Sequence, residues 1–218
     1  GEAPSDDPPQ VGQPTPDQRM FEDDPQTVLD LGAVFTDPDE EDALIGKSVV
    51  GNTNPAVLTA QVHGDTLRIS LLPDASGTSL VTVRGTSDGQ TVDDAFTVTV
   101  APVNDPPLFS VSEDLLVQED FPGTETVLVT PLPVPPDEQS QNVTYSLIPP
   151  SVAFADVTID PASGEVTVHA VPNGNGQREF TIVADDGQTE NNIAQRTFEL
   201  TVSPVNDPPE FELTRDTV

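Results

Sequence analysis

The sequence predicts an all-β protein made of two tandem β-sandwich domains with about seven strands each. Three observations lead to this prediction. Apolar and polar residues alternate along short segments, turn-forming residues separate these segments, and the whole pattern occurs twice at a spacing of about 100 residues. No stretch of ten or more residues has helical spacing without a proline, a glycine or a cluster of β-branched residues.

The repeat is marked by the sequence VNDPP, which occurs at Val103–Pro107 and again at Val205–Pro209. A related sequence, SDDPP, stands at Ser5–Pro9, and the copies lie 98 and 102 positions apart. The segments that lead into the last two copies, FTVTVAPVNDPP and FELTVSPVNDPP, correspond residue by residue. The four additional residues fall between Thr189 and Phe198, where a hairpin loop would accept an insertion.

These spacings predict the domain boundaries. The first repeat is expected at 1–105, with the opening linker copy at 5–9, and the second at 106–207. Residues 208–218 are expected to begin a truncated third repeat. We therefore expect the chain to be a monomeric piece of a longer tandem array.

The predicted strands have a period of two. In SLVTVRG, Val81 and Val83 share a face while Leu80 is out of phase, and FTVTV, FTIVAD and FELTV follow the same rule. Turn sequences separate neighbouring strands, as HGDT does at 63–66 and PASGE at 161–165. Many short strands at this spacing are typical of an immunoglobulin-like sandwich.

The charge of the chain excludes several functions. It has 38 Asp and Glu against 7 Lys and Arg, a net charge of −31, and no stripe of basic residues that could bind phosphates. We therefore expect no binding to nucleic acid or insertion into a membrane. The acids are interleaved with Val, Ile, Thr and Leu, which predicts a folded acidic protein rather than a disordered one. The absence of cysteine excludes disulfides and thiolate metal sites.

Catalysis finds little support in the sequence, and no enzyme activity is expected. The two histidines, His63 and His169, lie in strand or hairpin context, and no nucleophile-elbow or glycine-rich motif is present. There is no tryptophan and Tyr145 is the single tyrosine, so aromatic platforms for sugar rings are scarce. The phenylalanines recur at strand and boundary positions and are expected in the core.

The motif order resembles the cadherin-like repeats of large secreted or surface-anchored bacterial proteins. The elements are E-D-x-P early, TDPD after the second strand, SDG or DDG before the last strand, and VNDPPxF at the boundary. The resemblance implies calcium at the junctions between repeats and a role in adhesion or in spacing other modules. Calcium prefers six to eight oxygen ligands, which the acidic repeat ends can supply.

The resemblance implies ligands in the linkers and at the base of each repeat. Glu22 and Glu119 match the early glutamate of the family. Asn104–Asp105 and Asn206–Asp207 match the central Asn-Asp of its linker, and Asp7 takes that place in the opening copy. The prolines after each pair stiffen the connection.

Further ligands are implied at the top of each repeat. Asp37 and Asp39 match the Asp-x-Asp pair of the family, and Asp137 matches its second acid in repeat 2. Asp88 and Asp186 match the aspartate of its Ala-x-Asp element.

Several positions depart from the family pattern. Pro102 and Pro204 replace the aspartate that precedes the Asn-Asp pair, and Pro135 replaces the first acid of the Asp-x-Asp pair. The mid-repeat Asp-Arg-Glu element has no clean counterpart, although Asp74 and Asn173 fall nearby. We therefore expect fewer calcium ions per junction than a full cadherin junction holds.

The function expected from these features is that of a non-catalytic, calcium-rigidified segment of an extracellular bacterial protein. Its partners would be calcium and other cell-surface proteins or polysaccharides. One alternative is a carbohydrate-binding module of a secreted polysaccharide-degrading system. Another is an inert acidic spacer, for which calcium would have no effect.

Overall fold

The computed structural model describes residues 7–209 and 211, which form two compact units. The first comprises residues up to 103 together with 135–137, and the second comprises 104–134 and 138 onward. Almost all of the third repeat expected at 208–218 lies outside the described residues. Among the described residues, no helix has the length and apolar character needed to cross a membrane.

The first unit is a sandwich of one mixed and one antiparallel sheet, closed by a split first strand. A four-stranded sheet has the order β2-β9-β8-β5, a three-stranded sheet has the order β3-β7-β6, and β1 pairs with β4. A 3-10 helix, Asp42–Leu44, precedes β5. The strands are β1 Gln10–Val11, β2 Gln18–Phe21, β3 Thr27–Asp30, β4 Phe35–Thr36, β5 Gly46–Asn52, β6 Leu58–His63, β7 Thr66–Leu71, β8 Gly77–Ser87 and β9 Gln90–Ala101.

The second unit repeats this topology strand for strand. Its sheets have the orders β11-β18-β17-β14 and β12-β16-β15, and β10 pairs with β13. The strands are β10 Phe109–Val111, β11 Leu115–Gln118, β12 Glu125–Val127, β13 Val129–Pro131, β14 Thr144–Ile148, β15 Ala155–Ile159, β16 Val166–Ala170, β17 Gly176–Asp185 and β18 Ile193–Ser203. Both all-β sandwiches confirm the predicted fold class.

An aspartate supports the break in the first strand of each unit. After β1 the chain changes sheets, and β2 then pairs parallel to β9. At this crossover Asp17 Oδ1 accepts the N–H of Thr97 at 2.7 Å, and Asp114 Oδ1 accepts the N–H of Glu199 at 2.8 Å. A side chain thus supplies the acceptor that the interrupted ladder lacks. The parallel β2 and β11 bring the start and the end of each unit together.

Alternation along the strands builds a separate core in each unit. Val81 lies opposite Phe96 on the buried face of the first, and Phe180 stacks on Phe198 at 5.4 Å between ring centroids in the second. Leu80 is exposed, as its phase predicts. The expectation that the phenylalanines are core residues is wrong for Phe21, which is 59% exposed because its register on β2 points it away from the core.

Hairpins form at the predicted turn sequences, since HGDT joins β6 to β7 and PASGE lies between β15 and β16. β8 and β9 are joined by Asp88–Gly89, whose φ angles of 45° and 84° are those of a type I′ turn. β17 and β18 are joined by the longer loop 186–192, and strand pairing leaves three additional residues between Phe180 and Phe198, not the four expected from the sequence match.

We predict that Gly85→Ala destabilises the first unit by about 1–3 kcal/mol through overpacking. A Cβ at Gly85 would lie 2.8 Å from Cγ of the buried Phe35. The matched control is Gly46→Ala in the same sheet, where the nearest atom would be 3.7 Å away, and we expect a change within about 0.5 kcal/mol. Urea unfolding followed by circular dichroism measures both, and equal stabilities of the two variants would contradict the prediction.

Candidate metal centres

Each unit contains a buried glutamate that binds the chain leaving that unit. Glu22 directly follows β2 and is 2% exposed, and Glu119 directly follows β11 and is 7% exposed. Glu22 Oε1 accepts the N–H of Val103 at 2.6 Å, and Glu119 Oε1 accepts the N–H of Val205 at 2.6 Å. The same contact therefore occurs at the base of both units, where the sequence placed these two glutamates.

The backbone explains how such distant residues meet. The N–H of Glu22 donates to the carbonyl of Ala101 at 2.9 Å, and the N–H of Glu119 donates to the carbonyl of Ser203 at 2.8 Å. These bonds extend the parallel pairing of β2 with β9 and of β11 with β18 by one residue. The carboxylate then reaches the amide two positions further along the outgoing chain.

Glu119 is held in its ionised form. The N–H of Val205 and then the side-chain amide of Asn175, whose Nδ2 lies 2.9 Å from Glu119 Oε2, lower the pKa of this carboxyl below its ordinary value. Hydrogen bonds to a carboxylate stabilise the charged form more than its burial opposes it here. The base of the second unit therefore carries a buried negative charge at neutral pH.

A second acid stands beside each buried glutamate in the left-handed region of the backbone. Asp23 has a φ of 65° and Asp120 a φ of 60°. In the first unit a carboxylate oxygen of Asp23 lies within 4.8 Å of one from Asp74. In the second unit Asp120 Oδ1 accepts the N–H of Asn173 at 3.0 Å. The repeated E-D dipeptide is the sequence signal for this pair, although the family resemblance implies a ligand role for the glutamate alone.

At the top of the second unit, oxygen atoms surround the side chain of Asn104. Its Nδ2 lies 3.1 Å from Asp186 Oδ2, 3.0 Å from the Glu190 carbonyl and 3.2 Å from the Asn191 carbonyl. Its Oδ1 accepts Gln141 Nε2 at 2.7 Å. Carboxylate, amide and backbone oxygens are the ligand types that calcium takes. The longer β17–β18 loop supplies the two carbonyls, which lie outside the motifs shared with the family.

An acid in the loop between β4 and β5, and another in the equivalent loop between β13 and β14, binds the linker aspartate of its unit. In the first, the N–H of Asp7 donates to Asp39 Oδ2 at 2.7 Å. In the second, the N–H of Asp105 donates to Glu138 Oε1 at 3.4 Å. Glu138 is 6% exposed and was not among the predicted residues. It takes the role of Asp39 even though the sequence match pointed to Asp137, which lies half-buried one position earlier.

Asp37 is organised by its own loop. Its Oδ1 accepts the N–H groups of Asp39 at 3.0 Å and Glu40 at 3.2 Å. The amide of Asp39, then the hydroxyl of Ser87 and the amide of Glu40, lower the pKa of the Asp37 carboxyl despite its burial. The predicted Asp37 and Asp39 pair is therefore a preformed turn of two ionisable acids at the top of the first unit.

Strand pairing shows that Asp88 and Asp186 do not occupy equivalent positions. Val81 faces Phe96 in the first unit and Phe180 faces Phe198 in the second, so Val81 and Phe180 are equivalent and later positions are numbered from them. On this count the buried Asp186 corresponds to the buried Ser87, one residue before the match made from the sequence. Asp88 itself is exposed in the turn.

Asn206–Asp207 has the local geometry of Asn104–Asp105. The side-chain amide of Asn206 lies 3.3 Å from the carbonyl of Asp207, and the equivalent distance from Asn104 to the carbonyl of Asp105 is 3.4 Å. Both residues of the later pair are exposed. This local contact is therefore a property of the linker sequence itself.

No protein-family model and no curated protein matches the chain. Among solved structures it is similar to mouse cadherin-23 EC22-24, with 19% identity, 92% of this chain and 67% of that chain covered, and a TM-score of 0.50. Human CDH23 EC21-23 has 15% identity, coverages of 86% and 66%, and a TM-score of 0.46. The endo-fucoidan hydrolase MfFcnA4 from glycoside hydrolase family 107 has 16% identity and a TM-score of 0.37. The match spans 94% of this chain but only 30% of the hydrolase. The likeness to mouse cadherin-23 shows that the chain has a cadherin-like β-sandwich fold.

Proposed function

We propose that the chain is a non-catalytic, calcium-binding repeat segment of a large extracellular or cell-surface bacterial protein, which serves adhesion or spacing. The observation that carries the proposal is the contact made twice by a buried glutamate with the outgoing linker amide, at 2.6 Å in both units. Beside each glutamate stands a left-handed aspartate. A repeated cluster of oxygen ligands next to the VNDPP linker supports calcium binding at the inter-repeat junctions.

The residues proposed as ligands fall into two sets. At the base of the first unit they are Glu22, Asp23 and Asp74, and at the base of the second Glu119 and Asp120 contribute. At the top and in the linkers they are Asp7, Asp37, Asp39, Asn104, Asp105, Glu138, Asp186, Asn206 and Asp207. Asp88 and Asp137 remain proposals from the family resemblance alone.

The proposed mechanism depends on the repulsion between neighbouring carboxylates. Two carboxylates about 4 Å apart repel each other by ~1 kcal/mol in bulk water and by ~4 kcal/mol at an effective dielectric constant near 20. Hydrogen bonds keep Glu119 and Asp37 ionised, so these acids cannot escape the repulsion by taking up protons at neutral pH. A bound calcium ion would replace repulsion with attraction and hold the linker rigid, and it would stabilise the folded state by mass action.

The main candidate for sugar stacking in the carbohydrate-binding alternative is a buried ring. Tyr145, the only tyrosine in a chain without tryptophan, is 6% exposed and packs edge-on against Phe109 at 5.7 Å between ring centroids. A ring buried in this way presents no face on which a sugar could stack.

We predict that Glu119→Gln weakens calcium binding at the second base by roughly tenfold, because calcium affinity depends on the number of charged ligands. Glutamine has nearly the same shape and can still accept the N–H of Val205. The matched control is Glu165→Gln in an exposed hairpin of the same unit, which should bind calcium as the wild type does. Calorimetric calcium titration of the chelator-treated protein measures the affinities. The proposal fails if the wild type takes up no calcium or if both variants behave alike.

Asp105→Ala should likewise weaken calcium binding, because it removes a linker carboxylate. The matched control is Asp156→Ala, an exposed acid on β15 far along the sequence from the linkers. Unchanged titration curves for Asp105→Ala would remove this residue from the ligand set.

We also predict a pH dependence in the presence of chelator. The pKa of Glu119 is lower in the folded state, so its contribution to stability is present above its unfolded-state pKa and is lost as the pH falls through the folded-state value. Acidification below about pH 5 should therefore destabilise the wild-type second unit more than the Glu119→Gln variant. Urea unfolding followed by the fluorescence of Tyr145, the single tyrosine, reports this unit. Parallel pH profiles would contradict the prediction.

A further inference from the structure

In each unit one loop precedes the long final hairpin, β8–β9 or β17–β18. The two loops differ in their polar residues. Pro73–Gly77 has the sequence PDASG, and Pro172–Gly176 has the sequence PNGNG. Asp74 and Asn173 occupy equivalent places with nearly equal left-handed φ angles of 53° and 56°. The second unit therefore has an amide where the first has a carboxylate.

Both loop residues lie beside the aspartate that follows the buried glutamate of their unit. Asp74 has a carboxylate oxygen within 4.8 Å of Asp23, and the backbone N–H of Asn173 donates to Asp120 Oδ1. A carboxylate at position 173 would give the second base the three acids that the first base has from its sequence.

Asn173 is followed by glycine, and this pair has a known chemical route from amide to acid. The nitrogen of Gly174 bonds to Cγ of Asn173 and ammonia leaves, which closes a succinimide ring. Water then opens the ring to aspartate or isoaspartate. Glycine favours this attack because it has no side chain to hinder the approach. The reaction needs only water and no enzyme or oxidant.

We propose that Asn173 is a self-modification site, at which deamidation converts the base of the second unit to the acid set of the first. The exposed side chain is open to water. Asp74 shows that aspartate adopts the required left-handed φ in this loop, so the aspartate product fits without new backbone strain.

The fold requires the glycine of the Asn173–Gly174 pair and also slows the reaction. A Cβ at Gly174 would lie 2.5 Å from the carbonyl oxygen of Phe154, so packing requires glycine there. The N–H of Gly174 donates to the carbonyl of Val171 at 2.8 Å. This bond occupies the attacking nitrogen, so conversion in the folded protein requires the loop to open and is slower than in the unfolded chain.

The consequence for calcium rests on the proposed function. One more carboxylate should raise calcium affinity at the second base by on the order of tenfold. Without calcium, the same carboxylate would repel Asp120 and lower the stability of the unit.

Peptide mass mapping of the intact protein during incubation at mildly alkaline pH tests the modification. Asn142 is a matched internal control because it is also exposed but precedes the β-branched Val143, which hinders attack. We expect the peptide that contains Asn173 to shift to the mass of its acid form, and to do so faster in urea. The peptide that contains Asn142 should keep the mass of its amide form. An Asn173 that is still unchanged in the folded protein long after the urea-treated chain has fully converted would overturn the proposal. In the sequence PNGNG, Asn175 also precedes a glycine. Conversion of Asn175 while Asn173 stays unchanged would also overturn the proposal.

Asn173→Asp separates the modification from its effect. The variant should bind calcium roughly tenfold more tightly than the freshly purified wild type, whereas Asn142→Asp should not. Equal affinities of Asn173→Asp and the fresh wild type would overturn the conversion as a change to the calcium site. Absence of calcium binding by the fresh wild type and by Asn173→Asp would instead refute the proposed function, and mass mapping would still decide the deamidation.

Discussion

The structure depends at each base on one interaction, a buried carboxylate that accepts the amide of the chain leaving the unit. Glu22 and Glu119 each make it at 2.6 Å, and each also continues the parallel pairing of its unit through its own backbone. Burying a carboxylate is costly unless hydrogen bonds compensate it. The outgoing linker therefore becomes part of the unit that it leaves, because it supplies a donor to this charge.

The top of the unit binds the linker by the same chemistry. Val103 ends the first unit and Asn104 begins the second, and each is hydrogen-bonded to a side chain of its own unit. Asp105 follows with its N–H directed to Glu138. Between these residues the chain contains no free spacer of the glycine-serine kind, and the prolines that follow restrict it further.

The chain has far more acidic than basic residues. Against 38 acids there are 7 Lys and Arg, and two of these pair within the first unit, Lys47 with Asp65 and Arg84 with Asp93. Protein cations are thus too few to balance the acids gathered at the bases and tops. Calcium, which takes carboxylate and carbonyl oxygens as ligands, is the cation that we propose for this role.

The sequence predicted the strands and hairpins well because alternation and turn residues act locally. The period of the repeat identified Glu22 and Glu119 as equivalent positions, and the family resemblance predicted that both lie at the base of their repeats. The sequence did not predict Glu138 or the one-residue offset between Asp88 and Asp186, because both depend on strand register and loop path. The positions of Asp23 and Asp74 were likewise set by left-handed turns that bring distant loops together.

Small-angle X-ray scattering of the two-unit protein with calcium and with chelator tests whether calcium makes the linker rigid. We expect calcium to increase the maximum dimension and to reduce the flexibility of the particle, because it removes repulsion beside the linker. Equal dimensions and equal flexibility under both conditions would contradict this expectation.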